Sequence, residues 1–399
     1  HNSVPKLIAH LYSSLSMEKV QVFIVGAGPS GLATAACLSK LSIPYIIAER
    51  EDCIMSLWQK YTYDRLKLHI AKEFCELPHM AYPTDSPTYL PKDQFLRYME
   101  DYVKHFNISP KFNTSVESCM YDEVRKCWVV TTHNKVDGPT MYASKFLVVA
   151  TGENSMGYVP EIVGLQSFPG ETIHSSSYKS GNDYVGKSVL VVGCGNSGFE
   201  IAHDLAVHGA NTSIIIRSPL HVMTKELIHL GMVLSTWHLP LKLVDLILMI
   251  LAYILLGDLS KYGIVRPNIG PLTLKAKTGR SAVIDTGTTK LIKKGDIKVF
   301  GPISCIRGNL IEFADGNERY YDAIVFATGY KSTANIWLKN DMSMLNSDGI
   351  PKNDFPNHGK GANGLYSVGF ARRGLAGIAH DANIVASDIH TNMEMPYFN

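Results

Sequence analysis

Two Gly-x-Gly-x-x-Gly turns, each fed by a short apolar run, constrain this chain more than any other feature. The first, Gly26-Ala27-Gly28-Pro29-Ser30-Gly31, follows the apolar residues 20–25. The second, Gly193-Cys194-Gly195-Asn196-Ser197-Gly198, follows the strand-like run Ser188–Val192. Between strand and helix, such a turn lets the backbone approach a pyrophosphate, which then rests on the N–H groups of the helix N-terminus. One turn of this kind is a weak signal, because glycines also punctuate ordinary loops. Two of them predict an α/β chain carrying two Rossmann-like dinucleotide-binding domains.

The residues around each turn sharpen the prediction. After the first, residues 32–41 have helical spacing and small side chains, and residues 44–48 read as the next strand, ending at Glu49. Glu49 lies 23 positions after Gly26, where a dinucleotide fold sets an acid on a ribose hydroxyl. After the second turn the next strand runs to Ile216-Arg217, and Arg217 lies 24 positions after Gly193, in the slot that Glu49 fills in the first fold. A carboxylate there would repel a 2′-phosphate and a guanidinium attracts it, which points to NADPH; Ser218 could add a hydroxyl. The alternative for Arg217 is an ordinary surface arginine.

The remaining chain is ordered around these folds. Residues 78–91 hold four prolines and read as irregular loop, residues 94–105 as a helix, and residues 128–132 as a strand. An apolar strand over 146–150 ends in Ala150-Thr151-Gly152, and a matching one over 323–326 runs into Ala327-Thr328-Gly329. Residues 239–256, LPLKLVDLILMILAYILL, are the most apolar stretch. Lys242, Asp245 and the length of the run argue against a membrane span, which takes about 20 apolar residues. A buried or substrate-lining helix is expected first, and a helix dipping into a membrane surface second. Residues 364–370 read as a strand returning to the first sheet, followed by a helix over 382–390. The expected division is 17–168 with 322–399 as one domain, and 169–321 as the other, with an insertion at about 222–285. Residues 1–16 are left outside the fold.

Composition enters by what it excludes. A net charge of +2 supplies no clustered cations for nucleic acid, and short basic runs such as residues 290–294 read as solvated faces. The seven cysteines form no C-x-x-C pair, so neither a zinc site nor a dithiol centre is expected, and no metal is assigned. Their dispersal fits a reducing compartment. With no charged n-region ahead of a long apolar core, no signal peptide is expected. The expected location is cytoplasmic, with the cytosolic face of the endoplasmic reticulum as the alternative. No obligate protein partner is inferred.

Phe168, Gly170, His174 and Tyr178 fit the pattern F-x-G-x-x-x-H-x-x-x-Y, ending 15 residues before the second fingerprint. Between two dinucleotide turns, that pattern resembles the signature of class B flavin-dependent monooxygenases. The wording GENSMGYVPEI, HSSSYKSG and VVGCGNSGFEIAHDL resembles the plant YUCCA subfamily, over about residues 20–389. The resemblance implies an FAD domain with an NADPH domain inserted, and assigns the first turn, Glu49 and Arg50 to FAD. It sets Trp58 and Leu68 near the flavin, and makes Ala150-Thr151-Gly152 and Thr328-Gly329 crossing points between the domains. His69 falls where many flavin monooxygenases carry an asparagine that helps hold the oxygenated flavin; the YUCCA group has histidine there. Taken alone, His69 would be a structural histidine. His174 and Tyr178 read as organisers of the interdomain connection.

Two nucleotide sites imply that NADPH reduces FAD. With no cysteine pair or cluster motif to take the electrons onward, dioxygen remains, and the resemblance selects it through a C4a-(hydro)peroxyflavin. The subfamily implies a 2-oxo acid substrate, indole-3-pyruvate, decarboxylated oxidatively to indole-3-acetate (auxin). Arg65, Arg266, Arg372 or Arg373 could pair with the substrate anion, and the sequence does not choose among them. Alternatives are oxygenation of nitrogen or sulfur centres, Baeyer–Villiger oxygen insertion, an uncoupled oxidase, or a non-catalytic dinucleotide-binding protein. Ile70-Ala71, where the subfamily usually has leucine-proline, together with His203, Asn211 and parts of 223–260, marks a divergent member.

Overall fold

The computed structural model describes residues 17–341 and 343–394 of the 399. Residues 1–16, expected to stand apart from the fold, lie outside the described residues.

The first unit opens with β1 (Met17–Val25), α1 (Pro29–Lys40) and β2 (Tyr45–Ala48), the strand–turn–helix–strand path that the first fingerprint predicts. Ala33, Ala35 and Ala36 are fully buried, so α1 packs closely on the sheet. After the proline-rich loop come α2 (Lys92–His105) and three strands, β3 (Thr114–Asp122), β4 (Cys127–Asn134) and β5 (Gly138–Val149). The order is β2-β1-β5-β4-β3, parallel through β2-β1-β5 and antiparallel beyond. Strand β5 is long because its first half pairs with β4 while its last residues are left for another partner.

The chain then crosses to the second unit through β6 (Met156–Gly157). That unit holds β7 (Glu171–His174), β8 (Ser188–Val192), α3 (Asn196–Val207) and β9 (Asn211–Ile215). The insertion follows: β10 (Val222–Met223), α4 (Lys225–Thr236), α5 (Leu241–Leu256), α6 (Pro271–Thr278) and β11 (Val283–Ile284). Next come α7 (Thr288–Lys294), β12 (Ile297–Phe300), an antiparallel ribbon of β13 (Ile303–Arg307), β14 (Leu310–Phe313) and β15 (Glu318–Tyr320), and β16 (Ala323–Phe326). The second sheet runs β12-β9-β8-β16-β7, all parallel. Its central strands are buried on both faces, which explains their unbroken apolar sequence.

The return is made by β17 (Tyr330–Lys331), which pairs with β6, so the two crossing strands form one small antiparallel ribbon. Strand β18 (Leu365–Ser367) then joins the free end of β5, and α8 (Leu375–Glu394) packs on α1.

Two expectations are corrected. The boundary at 322 falls one strand early: β16 lies between β8 and β7, so the second unit closes only after residue 326. Its sequence could not show this, since an apolar strand suits either sheet. The 239–256 stretch is not a buried helix. It begins at Leu241 behind Pro240, buries Val244, Asp245, Leu248, Ala252 and Leu256, and exposes Leu243, Leu246, Ile250, Tyr253 and Ile254 on its other face. The insertion supplies one layer of partners, α4 and α6, and that covers one side of α5. No helix among the described residues is long and apolar enough to cross a membrane.

Candidate active site

The two fingerprints repeat each other's backbone contacts. Gly26 (φ +104°) leaves β1, and a Cβ on it would lie 2.7 Å from Ala150 O; Gly193 (φ +115°) leaves β8, and its Cβ would lie 2.2 Å from Ala327 O. A Cβ on Gly31 would meet Gly26 O at 1.8 Å, and one on Gly198 would meet Gly193 O at 2.1 Å. Only glycine fits at these four positions. The middle glycines differ: Gly28 and Gly195 cap α1 and α3 with near-identical extended backbone, and nothing lies within 4 Å of a Cβ on either. Neither cap is closed by a side-chain hydrogen bond, so free N–H groups face open space, the arrangement that receives a pyrophosphate. Pro29 begins α1 where its missing N–H costs nothing.

Around the first turn, Glu49 is 6% exposed; its Oε2 accepts the Ala27 N–H at 2.9 Å and its Oε1 the Glu51 N–H at 3.0 Å. A carboxylate offers about four lone pairs, so capacity for a ribose hydroxyl remains. Arg50 donates to Ser155 O at 3.0 Å, tying the end of β2 to the first crossing. Ser30 is buried against Gly369. Beyond Ala150, Thr151 Oγ1 and Glu153 Oε1 are buried without partners, and Gly152 turns the chain away with φ +75°. Trp58 meets Phe95 edge-on at 4.8 Å and packs against the cores of both units.

Around the second turn, Arg217 is exposed and Ser218 half-buried, just after β9. Arg280, which the sequence reading missed, donates to Pro219 O at 3.1 Å and brings a second cation to Cys194. Burial raises the Cys194 thiol, while the Arg217 N–H and the charges of Arg280 and Arg217 pull it down. No fingerprint spacing could have flagged Arg280, which arrives from the far end of the insertion. Asn196 Oδ1 accepts the Ile284 N–H at 2.8 Å and so anchors that end.

The units meet at His69. Leu68 is buried and its N–H donates to Leu90 O at 2.8 Å, which holds the loop. His69 Nε2 lies 2.5 Å from Glu200 Oε1, and Glu200, 3% exposed, stands on α3 just past the second fingerprint. The Tyr63 hydroxyl also bonds Glu200 and Ser197, and burial raises it well above the usual phenol range. Beside this pair, Arg65 NH1 is 2.5 Å from His203 Nδ1. Burial and then the Arg65 charge lower His203, so its ring serves as a neutral acceptor. A cleft of about 460 Å³ opens here, lined by Arg65, Lys67, Glu200, Lys225, Glu226 and Asp285. Glu200 and Tyr63 were not expected, since no spacing rule relates position 69 to position 200.

Of the signature residues, His174 sits at the crossings, while Tyr178 is buried in the second unit against α3. His174 Nε2 donates to Gly329 O at 2.9 Å and its Nδ1 accepts the Ser176 N–H at 3.2 Å, which defines the neutral tautomer. A Cβ on Gly157 would strike that ring at 2.5 Å. The Thr328 hydroxyl bonds Tyr158 O across the ribbon, and Tyr178 donates to Asp204 at 2.7 Å. All seven cysteines are free thiols.

A family model described as pyridine nucleotide-disulphide oxidoreductase matches residues 23–233. The probable indole-3-pyruvate monooxygenase YUCCA10 of Arabidopsis thaliana is 51% identical over 377 residues, 94% of this chain and 98% of its own length. Indole-3-pyruvate monooxygenase YUCCA6 of the same plant is 46% identical, over 92% of this chain and 89% of its own. Among solved structures, a flavin-containing monooxygenase from Stenotrophomonas maltophilia shares the fold with a TM-score of 0.71 at 19% identity, covering 94% of this chain and all of that one.

Proposed function

The chain belongs to the YUCCA family of flavin-dependent monooxygenases, and from this premise we propose that it converts indole-3-pyruvate to indole-3-acetate. Its cofactors are FAD and NADPH, and its reactants a small molecule and dioxygen. The proposed balance is indole-3-pyruvate, O₂, NADPH and a proton giving indole-3-acetate, CO₂, NADP⁺ and water. FAD, once reduced by NADPH, supplies the activation of dioxygen.

The observation that carries the proposal is the pairing of His69 with Glu200 across two matched dinucleotide turns. The open caps at Gly28 and Gly195, with Glu49 on one side and Arg217 on the other, suit FAD and NADPH in turn. Glu200 holds one nitrogen of the His69 ring, and Nδ1, with no partner among the described residues, is left to serve the flavin site. Because Glu200 stands on the helix that receives NADPH, nucleotide binding and the orientation of His69 are mechanically linked.

The test is anaerobic reduction of the yellow protein by NADPH, then mixing with oxygen and indole-3-pyruvate. Indole-3-acetate and CO₂ in step with NADPH are expected; hydrogen peroxide alone would refute the substrate while sparing the cofactors. The exposed apolar face of α5 favours one addition, a cytosolic protein that rests α5 on a membrane surface. Trp237 and Tyr253 are 67% and 57% exposed beside that face, and Lys242 is exposed too, a set that suits a lipid headgroup boundary. Flotation with anionic vesicles tests this, and an Ile250→Asp protein that floats as well as the wild type would refute it.

A further inference from the structure

Helix α6 ends against the segment that leads into α8. Gly279, its left-handed cap (φ +74°), points its Cβ direction at Arg372, 3.1 Å from Cδ and 3.5 Å from a terminal nitrogen. The Gly279 N–H donates to Lys275 O at 2.8 Å, which sets Lys275 in the last turn of α6, beside that contact. Arg372 packs against the end of this turn, and Arg373 lies close enough for its charge to act on Lys275. Its ammonium is half-buried, with no hydrogen bond or ion pair among the described residues. Burial, and then the charge of Arg373, pull Lys275 below the usual lysine range, against a weaker pull from Glu153. The Arg373 guanidinium lies 3.7 Å from the centre of the Phe355 ring, which fixes its place without neutralising it. The carboxylate that acts on Lys275 is Glu153, which accepts the Arg372 N–H and whose Oε1 is buried with no partner; behind it Asp381 stands 3.1 Å from His358. Three cations against Glu153, with Asp381 taken up by His358, are partly desolvated at a domain seam and repel each other until an anion joins them.

The seam also has the right neighbours. Arg280, next after Gly279, belongs to the second nucleotide turn, and Glu153 follows the Ala150–Gly152 turn of the first. The other candidate arginines are already engaged. Arg65 is held by His203 at 2.5 Å with Asp204 at 4.0 Å; Arg266 is held at one terminal nitrogen by Met249 O at 3.4 Å and over the Tyr253 ring, while its other terminal nitrogen is buried without a partner, away from any second cation of this cluster.

We propose that Lys275, with Arg373 and Arg372, forms the subsite that holds the carboxylate of the 2-oxo acid substrate. This rests on the function proposed above, and a phosphate of NADPH or FAD is the other anion that could enter. The experiment uses FAD-loaded Lys275→Met and Arg373→Met proteins beside the wild type. Inhibition by indole-3-acetate is compared with inhibition by neutral indole-3-acetamide, along with KM for indole-3-pyruvate, FAD content, and the NADPH dependence of anaerobic flavin reduction. Loss of one charge-assisted contact should weaken indole-3-acetate and raise KM by roughly ten- to hundred-fold. Indole-3-acetamide, NADPH half-saturation and FAD content should stay within about two-fold of wild type, less than one such contact is worth. Equal weakening of both inhibitors would reduce the cluster to a structural role and overturn the proposal. A shift confined to NADPH or FAD would assign the cluster to a cofactor phosphate, and unchanged inhibition would also refute it. A wild-type protein that does not decarboxylate indole-3-pyruvate would instead sink the underlying function, and this subsite with it.

Discussion

The second fingerprint allows steric crowding and ligand access to be separated at neighbouring glycines. In Gly198→Ala the new methyl would lie 2.1 Å from Gly193 O. Ordinary carbon–oxygen contact needs about 1 Å more, and overpacking of this kind costs about 1–3 kcal/mol. At about 2–4 °C per kcal/mol for a domain of this size, the melting temperature should fall by several degrees. Gly195→Ala meets nothing within 4 Å and keeps an extended backbone open to alanine (φ −76°, ψ −172°). Its stability should stay within about 0.5 kcal/mol of wild type. Yet its methyl enters the space where a pyrophosphate approaches the α3 N–H groups. Losing one such charge-assisted bond costs about 1.5–3 kcal/mol, so NADPH should bind roughly ten- to hundred-fold more weakly. Both changes lie in the second unit and should leave FAD bound. The assays are flavin-fluorescence melting and the NADPH dependence of anaerobic flavin reduction. Wild-type NADPH saturation in Gly195→Ala, or wild-type melting in Gly198→Ala, would refute the reasoning.

Arg217→Gln should cost NADPH about 1.5–3 kcal/mol while sparing NADH, narrowing the preference ten-fold or more in reduction kinetics; an unchanged ratio would return Arg217 to the surface. Glu200→Gln should leave flavin reduction by NADPH near wild type but raise hydrogen peroxide formed per NADPH, because His69 loses the carboxylate that holds its ring at 2.5 Å; unchanged coupling would remove His69 from the oxygen chemistry. Burial lowers His174 below its ordinary value near 6.5, so the unfolded chain takes the proton first. The stability His174 contributes is present above about pH 6.5 and is lost as pH falls from there toward its folded value, at up to about 1.4 kcal/mol per pH unit. His174→Gln should flatten that part of the urea-melt pH profile. His203 and His221, lowered chiefly by burial, act with the same sign and should keep the remaining slope.

The sequence alone determined the two nucleotide folds, because binding a pyrophosphate through backbone N–H groups is a local matter. Six contiguous residues, the strand before them and the helix after them define the site, and Glu49 and Arg217 follow at the next strand end. The turns after Ala150 and Ala327 read from their own residues only as strand ends, and the family resemblance alone made them crossings; the structure sets each against the first glycine of a fingerprint, at 2.7 Å and 2.2 Å from a Cβ placed there. Sheet membership was less legible, and β16 was assigned to the wrong unit because a buried apolar strand carries no mark of its neighbours. The exposed face of α5 was hidden likewise, since an apolar helix does not reveal how many layers cover it. Only the tertiary structure decided what stands beside His69, Arg217 and Arg373. Glu200, Arg280 and Lys275 reach them from 131, 63 and 98 residues away along the chain. Contacts over such separations are made by the docking of whole elements, and no periodicity or spacing in a single sequence records them.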